Sequence, residues 1–304
     1  MTRITLKKFT SRIWGFYMKV LVKTLCYALK RRNRMSWSVF LWAVRSYFCG
    51  TTQSGTVYDF GIVPKKPDAE GFVKVGDFKF VYDSQCANDV RSESADILAE
   101  YILSLDLEEY YRLYDGEGPY EVGCVSLHAG DIVIDAGANM GVFALLSVAK
   151  GAAKVYAFEP MEDICGILAK NIDKNSCHDI ISIIRKGLSD KTGLKEIFFT
   201  DGNVQGASLV FKNTNNQKKI QCITLDEWVR ENNIPCVDFI KADIEGAERY
   251  LLKGAQETLR RFKPRLAICT YHLPDDPQIL AELIRKANPA YKIIQGRKKL
   301  YAWV

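Results

Sequence analysis

The chain has 304 residues with nine cysteines and three histidines; 48% of its residues are hydrophobic, and its formal net charge is +6. A chain of this size can bury one large core, or a core with a smaller appendage. The cysteines are odd in number and include no C-x-x-C pair. The composition argues against a disulfide framework, a cysteine zinc site and a histidine-rich metal site, and it favours a reducing, cytoplasmic compartment.

Residues 1–50 predict a basic, aromatic-rich helical extension. The first 58 residues contain eleven Lys or Arg residues and no acid. No uncharged run approaches the roughly 20 apolar residues of a bilayer crossing, and no signal-peptide core is present. Two interpretations remain open: peripheral contact with the anionic inner membrane surface, or packing on the rest of the chain or on a partner. A basic stripe alone attracts nucleic acid without reading its sequence, so we do not expect nucleic-acid binding.

Residues 51–115 predict a linker, a hairpin and an acidic helix that precede the core. Residues 51–70 are polar with glycine and proline, and residues 72–83 alternate around a Gly-Asp turn. Residues 92–114 have the amphipathic pattern of a helix that starts at a serine cap. The remaining residues, 116–304, are predicted to form the main domain.

From residue 131 onward, strand and helix patterns alternate. Strands are predicted at 131–135, 154–158, 180–185, 237–243 and 265–271, with an inserted pair at 195–200 and 219–223 and a final hairpin turning at Gly296. Helices are predicted at 140–149, 162–174, 225–232, 247–262 and 276–287. This alternation indicates an α/β fold with a mostly parallel, Rossmann-like sheet and an antiparallel C-terminal hairpin. Ligands of such sheets bind beyond the carboxyl ends of the strands.

The stretch "IVIDAGANMGVFALL", residues 132–146, predicts a strand, a glycine turn and a helix. Gly137 and Gly141 allow a sharp turn and a close approach to a ligand, and Asn139 is expected to cap the helix. The N–H groups at the start of this helix would face an anionic group. A dinucleotide is the usual ligand of such a turn.

Two features of this turn argue against a dinucleotide. The turn has no third glycine in the G-x-G-x-x-G phase. Asp135 would also stand beside the pyrophosphate, and two like charges about 4 Å apart repel by roughly 4 kcal/mol. A sulfonium or ammonium group would instead be attracted there. Glu159 ends the next strand, 22 residues after Gly137, where an acceptor for ribose hydroxyls is expected. Together these features favour S-adenosylmethionine.

The chain resembles the FkbM family of S-adenosylmethionine-dependent methyltransferases. The resemblance covers about residues 120–300 and depends on motifs that occur in the family's order: "VIDAGANMG", "AFEP", "GLSDKTG", "GASL", "TLDEW", "DFIKADIEGAERYLLKGA" and "KPRLAICTYH". It implies the class I methyltransferase version of the Rossmann-like sheet. It also implies methylation of a hydroxyl group on a sugar, a glycan or a small natural product.

The resemblance implies a role for individual residues. Asp135, Gly137, Asn139 and Gly141 would line the methionine end of the cofactor, and Glu159 would hold the ribose hydroxyls. The turn at 187–190, with Leu188 and Asp190, would border the adenine. Asp243 and Glu245 would face the transferred methyl group and the acceptor.

Catalysis requires positioning of the two substrates and removal of the hydroxyl proton. Asp243, Glu245 and His272 follow strand ends and are the candidate proton acceptors. Other interpretations stay open: Asp243 as a hydrogen-bonding carboxylate, Glu245 as an acid stabilised at a helix start near Gly246, and His272 as a donor to a backbone carbonyl. Glu248 is expected on a helix surface or in a packing contact.

A cofactor metal is a further hypothesis. Asp243 and Glu245, together with Asp275 or Asp276, could gather Mg²⁺ through oxygen ligands. Solvated loop acids are the alternative interpretation.

Two other functions explain part of the sequence. A nicotinamide-dependent oxidoreductase shares the strand, turn, helix and ribose acid, but it should have the third glycine and gives no reason for Asp135. A non-catalytic module that binds a membrane surface or a partner could keep a degenerate fold. The two cofactor-side acids and Asp243 argue against such degeneration.

Overall fold

The computed structural model describes residues 68–75, 78–81, 119–200, 203–211 and 216–304. The predictions for residues 1–50, for most of the linker and for the helix at 92–114 lie outside these residues. Within the described part of the chain, none of the helices has the length and apolarity needed to span a bilayer.

The strands and helices are numbered here in chain order. The strands are β1 (Phe72–Val75), β2 (Phe78–Val81), β3 (Ile132–Ala136), β4 (Lys154–Phe158), β5 (Ile181–Ile184), β6 (Gly187–Leu188), β7 (Gly193–Thr200), β8 (Asn203–Ser208), β9 (Asn216–Ile223), β10 (Phe239–Ala242), β11 (Arg265–Cys269), β12 (Lys292–Gln295) and β13 (Lys299–Trp303). The helices are α1 (Val142–Ala149), α2 (Glu162–Lys174), α3 (Leu225–Glu231), α4 (Glu248–Lys253), α5 (Gln256–Phe262) and α6 (Asp276–Ala287).

A seven-stranded sheet has the order β12-β13-β11-β10-β3-β4-β5. Strands β11, β10, β3, β4 and β5 are parallel, whereas β13 is antiparallel to β11 and to β12. The predicted α/β fold and its antiparallel C-terminal hairpin are therefore confirmed. From β3 the chain proceeds to β4 and β5 on one side, then returns to β10 and β11 on the other, and the crevice of such a sheet opens at this switch point.

Two hydrophobic clusters cover the two faces of this sheet. Successive residues of β3 alternate between them, since Val133 belongs to one cluster and Ile134 to the other. Helices α1 and α2 supply the first cluster with residues such as Phe143 and Leu168. Helices α3 to α6 supply the second, which includes Trp228. The central strands are buried on both faces, which explains why their sequences are almost entirely apolar.

Two predicted elements differ in the structure. The expected inserted strand pair is part of a separate four-stranded sheet with the order β6-β9-β7-β8. The single helix predicted at 247–262 is two helices, α4 and α5. A side chain at Gly254 would overlap the backbone carbonyl of Ser189, and Asp226 accepts the N–H groups of Glu257 and Thr258 at the start of α5. These contacts with distant segments break the helix.

Candidate active site

A cleft of about 550 Å³, open solvent at its mouth included, lies at the carboxyl ends of β3, β4 and β10. Of the residues predicted as functional, five line the cleft: Gly137, Glu159, Leu188, Asp243 and Glu245. Asp135, Asn139, Gly141, Asp190 and His272 are outside its lining but lie close along the chain or in contact with lining residues.

The turn after β3 brings three strand ends together. Gly137 has a φ of 74°, and a Cβ atom there would overlap the backbone carbonyl oxygen of Asp243. The backbone N–H of Gly137 donates to the carbonyl of Phe158, and the N–H of Asp243 donates to the carbonyl of Ala136. The close approach of the β3 and β10 ends therefore requires glycine at position 137.

Asn139 does not cap helix α1, contrary to the prediction. The cap position is Gly141, with a φ of 92°, and no side chain accepts a hydrogen bond there. Asn139 has a φ of 48°, and its N–H donates to Glu159 Oε2 at 3.1 Å. Among the described residues, the buried Oδ1 of Asn139 has no hydrogen-bond partner. This oxygen can therefore accept a hydrogen bond from a ligand.

Asp135 is fully buried and paired with a lysine. Its Oδ1 lies 3.1 Å from the Nζ of Lys241, which occupies the opposite position on β10. Lys241 also donates to the carbonyl of Gly137 at 2.6 Å. Burial alone would lower the pKa of Lys241, but Asp135 and Asp243 raise it above its ordinary value. The expectation of an uncompensated negative charge beside the ligand is therefore wrong, because Lys241 offsets it.

Glu159 follows β4 and lines the cleft with a side chain that is held by backbone groups. Its Oε1 accepts the N–H of Met161 at 2.9 Å, and its Oε2 accepts that of Asn139. Burial raises the pKa of Glu159 to about 7, although both hydrogen bonds act in the opposite direction. Each oxygen keeps a second lone pair for a ligand hydroxyl.

Leu188 and Asp190 differ in position, although they are two residues apart. Leu188 is 3% exposed and lines the cleft. Asp190 forms an ion pair with Lys195 at 2.6 Å, and Ser189 donates to its carboxylate at 3.2 Å. Burial would raise the pKa of Asp190, but the bonds from Lys195 lower it. Asp190 therefore stabilises this turn through its ion pair with Lys195 of β7.

Asp243 follows β10 and lines the cleft, within a network of hydrogen-bond donors and cations. Tyr120 donates to its Oδ2 at 2.8 Å, and Tyr271 donates to its Oδ1 at 3.4 Å. Burial would raise the pKa of Asp243, but Lys241, Lys299 and His272 keep it below its usual range. Asp243 is therefore ionised at neutral pH.

His272 is buried among three carboxylates, with 4% of its side chain exposed. Its Nδ1 lies 3.1 Å from Glu248 Oε1, and its Nε2 lies 3.5 Å from Glu245 Oε2 and 3.8 Å from Asp243 Oδ1. Burial would lower the pKa of His272, but Glu245, Glu248 and Asp243 raise it to about 10. Neither ring nitrogen donates to a backbone carbonyl of the described residues, so the interpretation as such a donor is wrong.

Glu245 differs from expectation, whereas Glu248 has the packing contact that was one of its two expected positions. Glu245 lies in a left-handed turn with a φ of 53°, and helix α4 begins only at Glu248. Glu248 is completely buried and not on a helix surface; it accepts the N–H of Ile244 at 2.9 Å.

Of the expected Mg²⁺ ligands, Asp243 and Glu245 come together, but Asp275 and Asp276 do not join them. Asp275 and Asp276 both form ion pairs with Arg249, and Asp276 also accepts the N–H of Leu273. Among the described residues, the acids and histidines close enough to hold an ion are Asp243, Glu245 and His272. The set that included Asp275 or Asp276 is therefore wrong.

The inserted sheet contributes residues that the sequence analysis did not assign to the cleft. Ala207 and Leu209 line the cleft together with Ile197 and Ile220. Ser208 Oγ donates to the carbonyl of Glu245 at 2.5 Å. Only the "GASL" motif indicated that this segment belongs near the site, because nothing local shows where an inserted sheet packs.

The chain is similar to several known methyltransferases. A family model described as the methyltransferase FkbM domain matches residues 135–291, just over half of the chain. The chain is 28% identical over 190 residues to the hexuronic acid methyltransferase AglP of Haloferax volcanii, covering 62% of this chain and 76% of that protein. It is 24% identical over 195 residues to the methyltransferase sdnD of Sordaria araneosa, covering 54% of this chain and 74% of that protein.

Among solved structures, the FkbM methyltransferase of Methylobacillus flagellatus aligns with a TM-score of 0.46 and 20% identity. The alignment covers 73% of this chain, which spans 56% of that chain. The match to the family model extends from Asp135 in β3 to Tyr291, just before β12, and so includes the strand ends that form the cleft. The chain belongs to the FkbM family of methyltransferases.

Proposed function

We propose that this methyltransferase takes its methyl group from S-adenosylmethionine and transfers it to an oxygen of a sugar, a glycan or a small natural product. The observation that carries the proposal is the geometry of the cleft, where the buried acid Glu159 follows β4 on one side of β3 and the Asp243 cluster follows β10 on the other. The relative AglP, which acts on a hexuronic acid by its name, supports a sugar acceptor.

We assign the cofactor's contacts to residues around the glycine turn. Glu159 would accept hydrogen bonds from the ribose hydroxyls, and Leu188 would border the adenine. Asn139 Oδ1 and the backbone near Gly137 and Gly141 would bind the methionine end.

Two acids would act on the cofactor site indirectly. Asp135 would position the Gly137 carbonyl through Lys241, whose Nζ contacts both groups. Asp190 would hold the adenine-side turn through Lys195. Neither acid is assigned a direct contact with the cofactor.

The bound cofactor would supply a methyl group on a sulfonium, which is already a strong electrophile. The residues of this chain would orient the acceptor and remove its proton. Asp243 and Glu245 line the cleft and would accept the hydrogen bond of the acceptor hydroxyl. His272 can accept the proton only in its neutral form, which its three carboxylate neighbours disfavour at neutral pH.

Ligand binding tests the proposed cofactor. S-Adenosylhomocysteine should raise the melting temperature of the full chain, by the equivalent of roughly 2.7 kcal/mol at a hundredfold excess over Kd. NADH should not raise it. Stabilisation by NADH alone would favour an oxidoreductase, and stabilisation by neither ligand would favour a non-catalytic binding module.

Radiolabelled S-adenosylmethionine tests the acceptor. The full chain would be incubated with fractionated glycans, lipid-linked sugars and small metabolites, and the labelled product would be examined for an O-methyl group. Asp243→Asn should abolish transfer while keeping the affinity for S-adenosylhomocysteine. Asp275→Asn is the matched control, because this exposed acid pairs with Arg249 outside the cleft. Labelling that is equal in the two variants would contradict the acceptor-side assignment.

We also propose the domain division given by the sequence: a basic extension at 1–50, a connecting segment at 51–115 and the methyltransferase domain at 116–304. The extension would contact an anionic membrane surface or pack on protein. Sedimentation of the full chain with anionic and with neutral phospholipid vesicles separates the two interpretations. Equal recovery with both vesicles would favour packing.

A further inference from the structure

We propose that Asp243, Glu245 and His272 form a binding site for one divalent first-row transition-metal ion, such as Mn²⁺. Each residue offers one ligand atom, and these three atoms lie within 4.8 Å of one another. The set differs from the Mg²⁺ ligands expected from the sequence, because an imidazole replaces the loop acids Asp275 and Asp276.

The distances in the cluster are somewhat longer than the spacing of ligands around a bound metal ion. His272 Nε2 lies 3.5 Å from Glu245 Oε2 and 3.8 Å from Asp243 Oδ1. Ligand atoms that each lie about 2.1 Å from an ion are roughly 3.0 to 3.4 Å apart in octahedral or tetrahedral geometry. Small side-chain rotations would therefore bring all three atoms to bonding distance.

His272 gives the second, independent observation. Its side chain is 4% exposed, and neither ring nitrogen makes a hydrogen bond of good geometry with the described residues. A buried polar atom without such a bond costs free energy. The Nε2 atom points between the carboxylates of Asp243 and Glu245, where an ion would supply the missing partner.

The groups behind the three ligands are arranged as in known metal sites. Histidine ligands commonly direct their second ring nitrogen to a carboxylate, and carboxylate ligands are themselves hydrogen-bonded. Here Glu248 Oε1 lies 3.1 Å from His272 Nδ1, and Tyr120 donates to Asp243 Oδ2 at 2.8 Å. Glu248 is itself fixed by the backbone N–H of Ile244. With Glu248 beside Nδ1, the Nε2 atom lies on the side of the ring that faces the other two ligands.

The carboxylates around the site would attract a cation. Among the groups that act on Asp243, Lys241 is shared with Asp135, and Lys299 is fully buried. The three carboxylates of the cluster face one imidazole. Mixed nitrogen and oxygen ligands favour Mn²⁺ or Zn²⁺ over Mg²⁺, which prefers oxygen alone.

The site adjoins the cleft, since Asp243 and Glu245 also line it. A bound divalent ion lowers the pKa of an oxygen that it contacts. If the proposed function is correct, an ion here would help to deprotonate an acceptor hydroxyl. Binding of the ion does not depend on that function, so it is measured without methyl donor or acceptor.

Titration of the chelator-stripped full chain with Mn²⁺, followed by electron paramagnetic resonance, tests the site. We expect one ion per chain, and electron spin-echo modulation from an imidazole nitrogen in the wild-type protein. Glu248→Gln should weaken Mn²⁺ binding about 10- to 100-fold, the usual effect of removing a residue that orients a histidine ligand. His272→Gln, which removes the ligand itself, should weaken it by at least as much.

Asp275→Asn is the matched control, because it removes a carboxylate three residues from His272 without touching the proposed ligands. It should bind Mn²⁺ as the wild type does. The absence of one-equivalent binding, or binding without the nitrogen modulation, would overturn the proposal. Because the nitrogen signal is measured in the wild type, the test holds even if His272→Gln fails to fold.

Discussion

Asp135 and Glu159 show how differently two buried acids at the ends of neighbouring strands can be used. Asp135 lies opposite Lys241 and is completely buried, whereas Glu159 accepts two backbone N–H groups and lines the cleft. The register of β3 and β4 explains the difference. Asp135 is level with Ala157, so Glu159 lies two residues farther toward the cleft. The comparison teaches that position along the sheet decides whether a strand-end acid meets the ligand.

Of the variants that test this comparison, Lys241→Met should have the largest effect, a loss of folding stability. Lys241→Met would leave the buried carboxylate of Asp135 without its cation, which typically costs about 3–5 kcal/mol of folding free energy. Urea unfolding measures the loss. The double variant Asp135→Asn/Lys241→Met should be more stable than Lys241→Met, since no unpaired charge remains. If the effects of the two single variants simply add, the two residues are not coupled as described.

Glu159→Gln should weaken binding of S-adenosylhomocysteine about 10- to 100-fold. Hydrogen bonds to a charged group are worth about 1.5–3 kcal/mol. The NH₂ group of the introduced glutamine would also face a backbone N–H, that of Asn139 or that of Met161, and two donors cannot bond each other. Isothermal titration calorimetry gives the change. Glu162→Gln is the control, because this acid on the same segment is exposed and pairs with Arg185. Equal affinities in the two variants would remove Glu159 from the cofactor site.

The pH dependence of binding should approach the loss caused by Glu159→Gln, because each pH unit below a pKa lowers the ionised fraction about tenfold. The pKa of Glu159 is raised from 4.5 to about 7, so donor binding must expel a proton at lower pH. Affinity for S-adenosylhomocysteine should therefore rise from pH 5 through pH 7 and level off about one pH unit above the pKa. Folding stability should change in the opposite direction. The folded chain keeps this proton where the unfolded chain has lost it, so the contribution of Glu159 falls as the pH rises from 4.5 to about 7.

Glu159→Gln serves as the reference for the pH series, because glutamine does not titrate. Its affinity profile should be flat over the same range. A slope that persists in this variant would assign the pH dependence to another group.

Asp135→Asn should have the smallest effect on the cofactor, less than about threefold in the Kd of S-adenosylhomocysteine. Asparagine fills nearly the same volume, and Lys241 keeps its bond to the Gly137 carbonyl at 2.6 Å. Calorimetry beside Glu159→Gln makes the comparison direct. A loss for Asp135→Asn as large as that for Glu159→Gln would show that both acids act on the ligand alike.

Most of the fold could be predicted from the sequence, because the patterns that mark strands, helices and turns are local. The buried strands are short apolar runs, and helix α2 has the predicted bounds of Glu162–Lys174. Gly137 and Glu159 were also recognised from their places at strand ends. The break between α4 and α5 was missed, because its cause is contact with Ser189 and Asp226, which are distant in sequence.

The candidate site was predicted only in part, for the same reason. Asp243, Glu245 and His272 were named from the ends of two strands, and the structure brings them together. Glu248 was expected on a helix surface or in a packing contact, and the helix turns it into the interior against His272. Helical spacing places Glu248 on one face of α4, and only packing decides which way that face points.

By itself, the sequence determined where the strands end and where the adjacent turns lie. The hydrophobic period and the positions of the glycines are local signals, which extend over only a few residues. The tertiary structure decided which charges meet. Lys241 meets Asp135 through the register of β3 and β10, and Glu248 meets His272 through the packing of α4 beneath the loop after β11. Electrostatic energy depends on distance in space and on burial, and neither follows from the order of the residues.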